Sequence, residues 1–151
     1  MEKASKYLAI DYGEKRIGIA VSDESKKYSF SREHLINDSN LFNKMLVLIK
    51  EENISRIIIG YPLNFKSEKT IQTIKTEEFR SNLENFLDKN SLKTELIYVD
   101  ERFTSKLAAE SILNSGMNKK KRQEKGRVDS ISAQIILQDY IDKTNNLNIY
   151  S

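Results

Sequence analysis

Three acidic residues far apart in the chain, Asp11, Glu101 and Asp129, each stand where an apolar run meets a turn or a helix. Asp11 closes Tyr7-Leu8-Ala9-Ile10 and is followed by the turn glycine Gly13. Glu101 ends the run Leu96-Ile97-Tyr98-Val99, and Asp129 opens the last strongly apolar helical pattern. Carboxylates at the ends of neighbouring strands can converge, and converging carboxylates repel unless a hard cation holds them. Magnesium-dependent phosphodiester chemistry requires that arrangement, with one or two Mg²⁺ or Mn²⁺ ions and no protein nucleophile. The pattern points to a nuclease.

Each of these residues also has a plainer reading. Asp11 could be an Asx-type turn residue before Gly13. Asp-x-Gly followed by Gly18 could belong to the phosphate hairpin of an actin-like ATPase, but that fold needs a second such motif and a far longer chain. Asp129 stands in a first helical turn, where the dipole favours a negative charge without any function. Asp100 and Glu101 are adjacent, so on an extended strand they point to opposite sides and only one readily faces a site. Arg102 could orient a carboxylate, grip a phosphate or form a surface ion pair. Arg16, beside the first turn, is either a phosphate contact or a solvent-exposed side chain.

Other chemistries are closed off by composition. The chain has no cysteine, which excludes disulfides, thiolate zinc sites and cysteine nucleophiles. A single histidine, His34, excludes a His-rich metal cluster and reads as an ordinary strand or surface residue. The chain's 151 residues form one domain, large enough to bury about 70% of the unfolded surface. No segment approaches the ~18 to 20 apolar residues that span a bilayer. The polar start, Met1 to Lys6, reads as no signal peptide, so the expectation is a cytoplasmic protein with no membrane partner.

The net charge of +3 hides an asymmetry. Residues 117–127 contain Lys119, Lys120, Lys121, Arg122, Lys125 and Arg127 against one acid, so they carry +5 and the remainder −2. A concentrated basic stretch beside a carboxylate site fits a polyanionic substrate, nucleic acid above all. The alternative is a solvated loop.

The elements that must position these groups are legible from periodicity. Residues 6–12 and 16–22 read as strands joined by the short Gly13-Glu14-Lys15 connection, and residues 28–35 complete a meander. In the second strand Gly18, Ala20 and Ser22 share one face, and such small side chains admit a helix or ligand close to the backbone. Leu41, Phe42, Met45, Leu48 and Ile49 recur at helical spacing after Asp38-Ser39-Asn40. Residues 56–60 form a continuously apolar strand, broken off by Tyr61-Pro62-Leu63-Asn64. A helix over 69–89 follows, with Ile71, Ile74, Phe79, Leu83, Phe86 and Leu87 inward. A strand over 95–99 leads to a helix capped by Thr104 and ended by Gly116. The last helix spans 128–141 with Ile131, Ile135, Ile136, Leu137, Tyr140 and Ile141 on its apolar face, and the polar tail from Thr144 is expected to fray. The order makes an α/β fold: a five-stranded mixed sheet, three strands in an antiparallel meander and two added by crossovers, with helices on both faces. Strands one, four and five end at Asp11, Gly60 and Glu101, so those ends share a rim.

Four segments together resemble one family across nearly the whole chain: YLAIDYGEKRIGIAVSD from Tyr7, IIIGYPLN from Ile57, YVDERFTSKLAA from Tyr98 and GRVDSISAQIILQDYID from Gly126. They are similar to the YqgF family of pre-16S rRNA nucleases, related in fold to Holliday-junction resolvases and ribonuclease H. The resemblance implies a ribonuclease H-like fold, an acidic triad of Asp11, Glu101 and Asp129 on divalent metal, and trimming of precursor ribosomal RNA. It selects Glu101 over Asp100 for the site. Structured DNA is the alternative substrate, and a non-catalytic nucleic-acid-binding regulator the alternative role. Arg16, Arg102, Lys119, Lys120, Lys121, Arg122 and Arg127 are the candidate nucleic-acid contacts, in a monomer or weak homodimer. The chain departs from the family pattern at Tyr61, usually leucine, and at Phe65-Lys66-Ser67-Glu68-Lys69, where a glycine-containing turn is usual. Ser105 stands for the second threonine of the DERxTT pattern and keeps its hydroxyl.

Overall fold

The computed structural model describes residues 4–104 and 125–150. Five strands form a single sheet: β1 (Lys6–Asp11), β2 (Arg16–Ser22), β3 (Ser29–Ile36), β4 (Ile54–Tyr61) and β5 (Glu95–Asp100). Their order is β3-β2-β1-β4-β5, with β1–β2 and β2–β3 antiparallel and β1–β4 and β4–β5 parallel. The meander and its two crossover strands are as the periodicity predicts. Gly13 makes the first turn possible, because a β-carbon there would lie 2.5 Å from the Arg16 carbonyl oxygen.

The two faces of the sheet carry different cores. Leu8, Ile10, Ile17, Ile19, Val21, Ile57 and Ile59 face helices α1 (Leu41–Glu51) and α2 (Ile71–Lys89), which contribute Leu41, Met45, Ile49, Phe79, Leu83 and Leu87. Ala9, Ala20 and Ile58 face α3 (Lys125–Tyr150), which contributes Ala133, Ile136, Leu137 and Ile141. The alternation along β1 and β4 follows from the two-residue period of a strand. Small residues on the α3 face let that helix pack close over β2 and β3, its main contacts in the sheet.

The direction of α3 is fixed near its C-terminal half. Arg56, early in β4, donates to the Tyr140 hydroxyl at 2.6 Å, and Tyr7 meets Tyr140 edge to face at 5.9 Å. Gln138 accepts from the Ser29 amide and donates to the Lys27 carbonyl, and Asn145 donates to the Lys26 carbonyl at 3.3 Å. These bonds to the β2–β3 turn hold the helix as far as Asn145, and the backbone continues helical to Tyr150, through the polar tail where fraying is expected. Tyr7 and Arg56 stand where their strands begin, so the N-terminal end of α3 lies toward the carboxyl ends of β1, β4 and β5.

The inward face of α2 differs from the periodicity reading. Ile71 and Ile74 are 74% and 50% exposed, while Thr73 and Thr76 are buried in their place. Thr70 and Thr73 form a reciprocal capping box, Thr73 also donates to the Pro62 carbonyl, and Thr76 donates to the Gln72 carbonyl at 2.8 Å. Because these hydroxyls are satisfied locally, burying them costs little, and the cap rather than the isoleucines sets the helix phase. On α3, likewise, Ile131 and Ile135 are only half-buried, and Ala133 completes the buried stripe. The expected helix from Thr104 to Gly116 lies outside the described residues beyond its first position.

Candidate functional site

Asp11 is the last residue of β1, opposite Gly18 of β2. Its neighbour Ala9 belongs to the α3 face, and the strand period places Asp11 on that same face. On the other side of β1, Ile10 pairs with Ile59, and continuing this register sets Asp11 level with Gly60. Gly60 in turn pairs with Val99 of β5, a residue also packed on the α3 face. Glu101 comes two residues later, in a 3-10 turn spanning Glu101–Phe103.

That turn explains which of the adjacent acids enters the site. Asp100 folds back on its own chain: its carboxylate accepts from the Arg102 amide at 3.0 Å and from the Arg102 guanidinium at 2.6 Å. The Arg102 hydrogen bond holds the Asp100 carboxyl below the usual aspartate range, against a smaller opposing effect of burial. Thr104 donates its hydroxyl to the Glu101 carbonyl at 2.8 Å and closes the turn. Glu101 is thereby left to point inward, and it is the one acidic side chain among the described residues that is buried, at 9% exposure.

Its carboxylate lies over β4. A β-carbon at Gly60 would stand 2.5 Å from Glu101 Oε1 and 3.0 Å from the Ile136 δ-methyl. Adjacent strands are spaced about 4.8 Å apart, so an oxygen above Gly60 is one strand from β1 rather than two. Gly60 is a site residue that sequence reasoning missed as such; only its position at the end of an apolar strand marked it.

Position 129 is one turn before Ala133 and two turns before Ile136, in the register of the sheet-facing stripe of α3. The backbone therefore brings Asp129 toward the rim shared by Asp11 and Glu101. Its side chain lies outside the described residues, and among the described ones no three acidic or histidine side chains gather about one point. His34 sits on β3, the edge strand farthest from Glu101. Carboxylates without thiolate or imidazole partners are hard donors, which suit Mg²⁺ or Mn²⁺ better than zinc or copper.

Of the candidate cationic residues, Arg102 is at the site's edge, held by Asp100 and donating to the Ser67 hydroxyl at 2.8 Å. Arg16 begins β2 beside the Gly13 turn. Arg127 lies in the first turn of α3 by its backbone, and Lys119, Lys120, Lys121 and Arg122 fall outside the described residues. No helix among the described residues is long and apolar enough to cross a membrane.

Comparison with known proteins matches residues 5–143 to the family described as RuvX, Holliday junction resolvase. A protein of Sulfurihydrogenibium sp. named "Putative pre-16S rRNA nuclease" is 42% identical over 95% of this chain and 94% of its own length. Proteins of the same name from Bacteroides fragilis and Mycoplasmopsis synoviae are 40% and 38% identical, over 91% and 89% of this chain and 96% of each relative. Among solved structures, T. thermophilus RuvC bound to a Holliday junction substrate superposes with a TM-score of 0.54 over 87% of this chain and 91% of RuvC. At 7% identity that likeness concerns the fold, and it agrees with the ribonuclease H-like expectation.

Proposed function

The chain belongs to the RuvX family, and from that premise we propose that it is a divalent-metal-dependent nuclease of precursor ribosomal RNA, with Asp11, Glu101 and Asp129 as its metal ligands. The observation that carries the reading is the buried Glu101 carboxylate, drawn over Gly60 on the face where β1 ends in Asp11. Carboxylate oxygens gathered at one rim are the hard donors that a divalent cation takes.

When bound, a divalent metal supplies two things: a water acidified enough to attack phosphorus, and neutralisation of charge on the leaving oxygen. The protein supplies the rest. Asp11 is fixed by strands on both sides of β1, and Glu101 by the Asp100–Arg102 pair and the Thr104 bond. Apolar walls from Ile136 and its neighbours limit water around Glu101, which strengthens its attraction for cations. Arg102, already oriented by Asp100, presents a planar guanidinium at the rim for a phosphate. The segment Lys119–Arg122, five to eight residues from Arg127 along the chain, adds backbone charge neutralisation.

The decisive experiment incubates the protein with precursor 16S rRNA, a single-stranded RNA and a four-way DNA junction, in Mg²⁺, Mn²⁺ or chelator. Metal-dependent cleavage of the precursor RNA, lost in Asp11→Asn, is the expected result. Cleavage of the junction in preference to RNA would favour the second reading, which the family's description as a Holliday junction resolvase supports. Undiminished cleavage by a folded Asp11→Asn protein would overturn the assignment of the site.

A further inference from the structure

The loop Phe65-Lys66-Ser67-Glu68-Lys69 has a defined structure. Leu63 and Lys69 form an isolated antiparallel bridge, and the Asn64 amide donates to the Glu68 carbonyl at 3.1 Å. The Asn64 side chain accepts from the Lys66 and Glu68 amides, both at 2.9 Å, and Ser67 takes a left-handed φ of 64° to complete the turn. Below it, Tyr61 packs on Tyr98 at 4.5 Å, and the Pro62 carbonyl accepts from Thr73. The loop is a small hydrogen-bonded hairpin held over a packed base.

At its tip, Phe65 is 86% exposed, more than any other large hydrophobic among the described residues. A single exposed apolar side chain is ordinary. This one differs in being presented by an ordered turn and in where that turn is tied: Arg102, the residue after Glu101, donates to Ser67 two positions from Phe65. Lys66 beside it is exposed, so the tip carries an aromatic ring and a cationic side chain in adjacent positions. An aromatic face next to cations fits a nucleobase and its phosphate.

We propose that Phe65 is a stacking platform for an unpaired nucleobase of the substrate strand, next to the nucleotide whose phosphate reaches Asp11 and Glu101. The proposal rests on the nuclease reading for its substrate class and adds a preference for an unpaired base there. In a duplex both faces of each base are covered by stacked neighbours, so only an unpaired base offers a face to the ring. Stacking is tolerant of base identity, so the platform selects single-stranded or splayed nucleotides rather than a sequence.

The test uses the full chain carrying Asp11→Asn, so that substrate persists, and a single-stranded RNA bearing one 5-iodouridine, with its fully paired duplex as control. Irradiation should cross-link the iodinated base to Phe65 in the single strand and not in the duplex, with the site read by mass spectrometry. Phe65→Leu, which keeps apolar bulk and loses the ring, should weaken single-strand binding by roughly five- to a hundredfold. Phe65→Tyr should restore binding. Equal affinity of the Leu and wild-type side chains, or cross-links confined to other residues, overturns the platform. Ile71 and Ile74 are also exposed nearby, so a protein contact is the competing use of this surface. A change of sedimentation in Phe65→Leu with unchanged RNA affinity would establish that use and overturn the proposal. Cleavage that depends on Asp11 but not on Phe65 removes the platform alone; cross-linking to Phe65 in Asp11→Asn, when the wild-type protein cleaves no RNA or junction, removes the nuclease reading alone. Absence of any nucleic-acid binding removes both.

Discussion

Glu101 occupies the space that a side chain at Gly60 would fill, its Oε1 atom 2.5 Å from the position of the missing β-carbon. The two residues are on different elements, and the absence of one side chain is what lets the other reach across β4. Position 60 therefore acts on the chemistry through Glu101, without a functional group of its own.

Gly60→Ala should displace the Glu101 carboxylate and lower cleavage at least tenfold. Because the nearest atom is the far end of the Glu101 side chain, which can shift, the cost should lie toward the lower end of the about 1–3 kcal/mol typical of overpacking. Combining it with Glu101→Ala removes the nearer clash, so the double variant should melt at a higher temperature than the sum of the two single effects predicts. Thermal denaturation of the four proteins measures that coupling independently of activity. Additive melting shifts would mean that the two side chains do not compete for one space.

Mg²⁺ should raise the melting temperature of the wild-type protein. At a hundred times its dissociation constant a ligand of the native state adds about 2.7 kcal/mol, or roughly 5–10 °C for a chain of this size. Asp11→Asn should abolish the rise, because it removes a ligand charge while keeping the shape of the side chain. Glu101→Gln and Asp129→Asn should behave alike. Pairs of these changes should cost little more activity than one, since ligands of one metal assembly act as a unit. A metal-induced shift that persists in Asp11→Asn would place the ion elsewhere.

Asp23 organises the β2–β3 turn, where Ser25 and the Lys27 and Tyr28 amides donate to its carboxylate. Burial alone would raise its pKa, but the hydrogen bonds outweigh that effect and bring it down to about 2. A depressed carboxylate stabilises the fold above its unfolded pKa of about 3.9 and loses that contribution as pH falls through the folded value. Asp23→Ala should therefore melt below wild type at pH 6, with the gap closing between about pH 4 and pH 2. A gap that is constant with pH would show that the side chain acts without its charge.

Neutralising Lys119, Lys120, Lys121 and Arg122 together should weaken RNA binding and flatten its salt dependence. Each phosphate contact on a single strand contributes a slope of about 0.7, so four contacts account for at most about 3 units. The rate at saturating RNA should fall less than affinity, because such contacts are made equally in ground and transition states. An unchanged slope would make this stretch a solvated loop.

The sheet and its order were legible because β1, β2 and β4 are apolar runs punctuated by Gly13 and Tyr61-Pro62, and strand patterning survives in isolation. The start of α2 was not, because its phase depends on Thr70 and Thr73 capping each other and on the Pro62 carbonyl, contacts that no hydrophobic period encodes. The candidate carboxylates were picked from their places at element ends, and the structure puts Asp11 at the end of β1 and Glu101 in the turn after β5. Gly60 escaped notice as a site residue because the space it leaves is defined by Glu101 and Ile136, distant in sequence and brought together only by the β5 and α3 packing. The Phe65 loop could be flagged as a departure from the family, but its order comes from Asn64 bonding to its own backbone and from Arg102 across the rim.

The strand order has a mechanical consequence for the site. β1 is hydrogen-bonded on both sides and its inner residues are wholly buried, whereas β5 is an edge strand of half-buried residues. Amide exchange should accordingly be slowest at Ala9 and Ile10 and much faster along β5, where opening requires no break in the rest of the sheet. If Asp11 and Glu101 hold the metal as proposed, Asp11 stands on a strand that cannot open alone, whereas the turn that fixes Glu101 follows a strand that can. Room for a bulky or distorted phosphate would then come from the β5 side as a unit, with the end of β1 left in place.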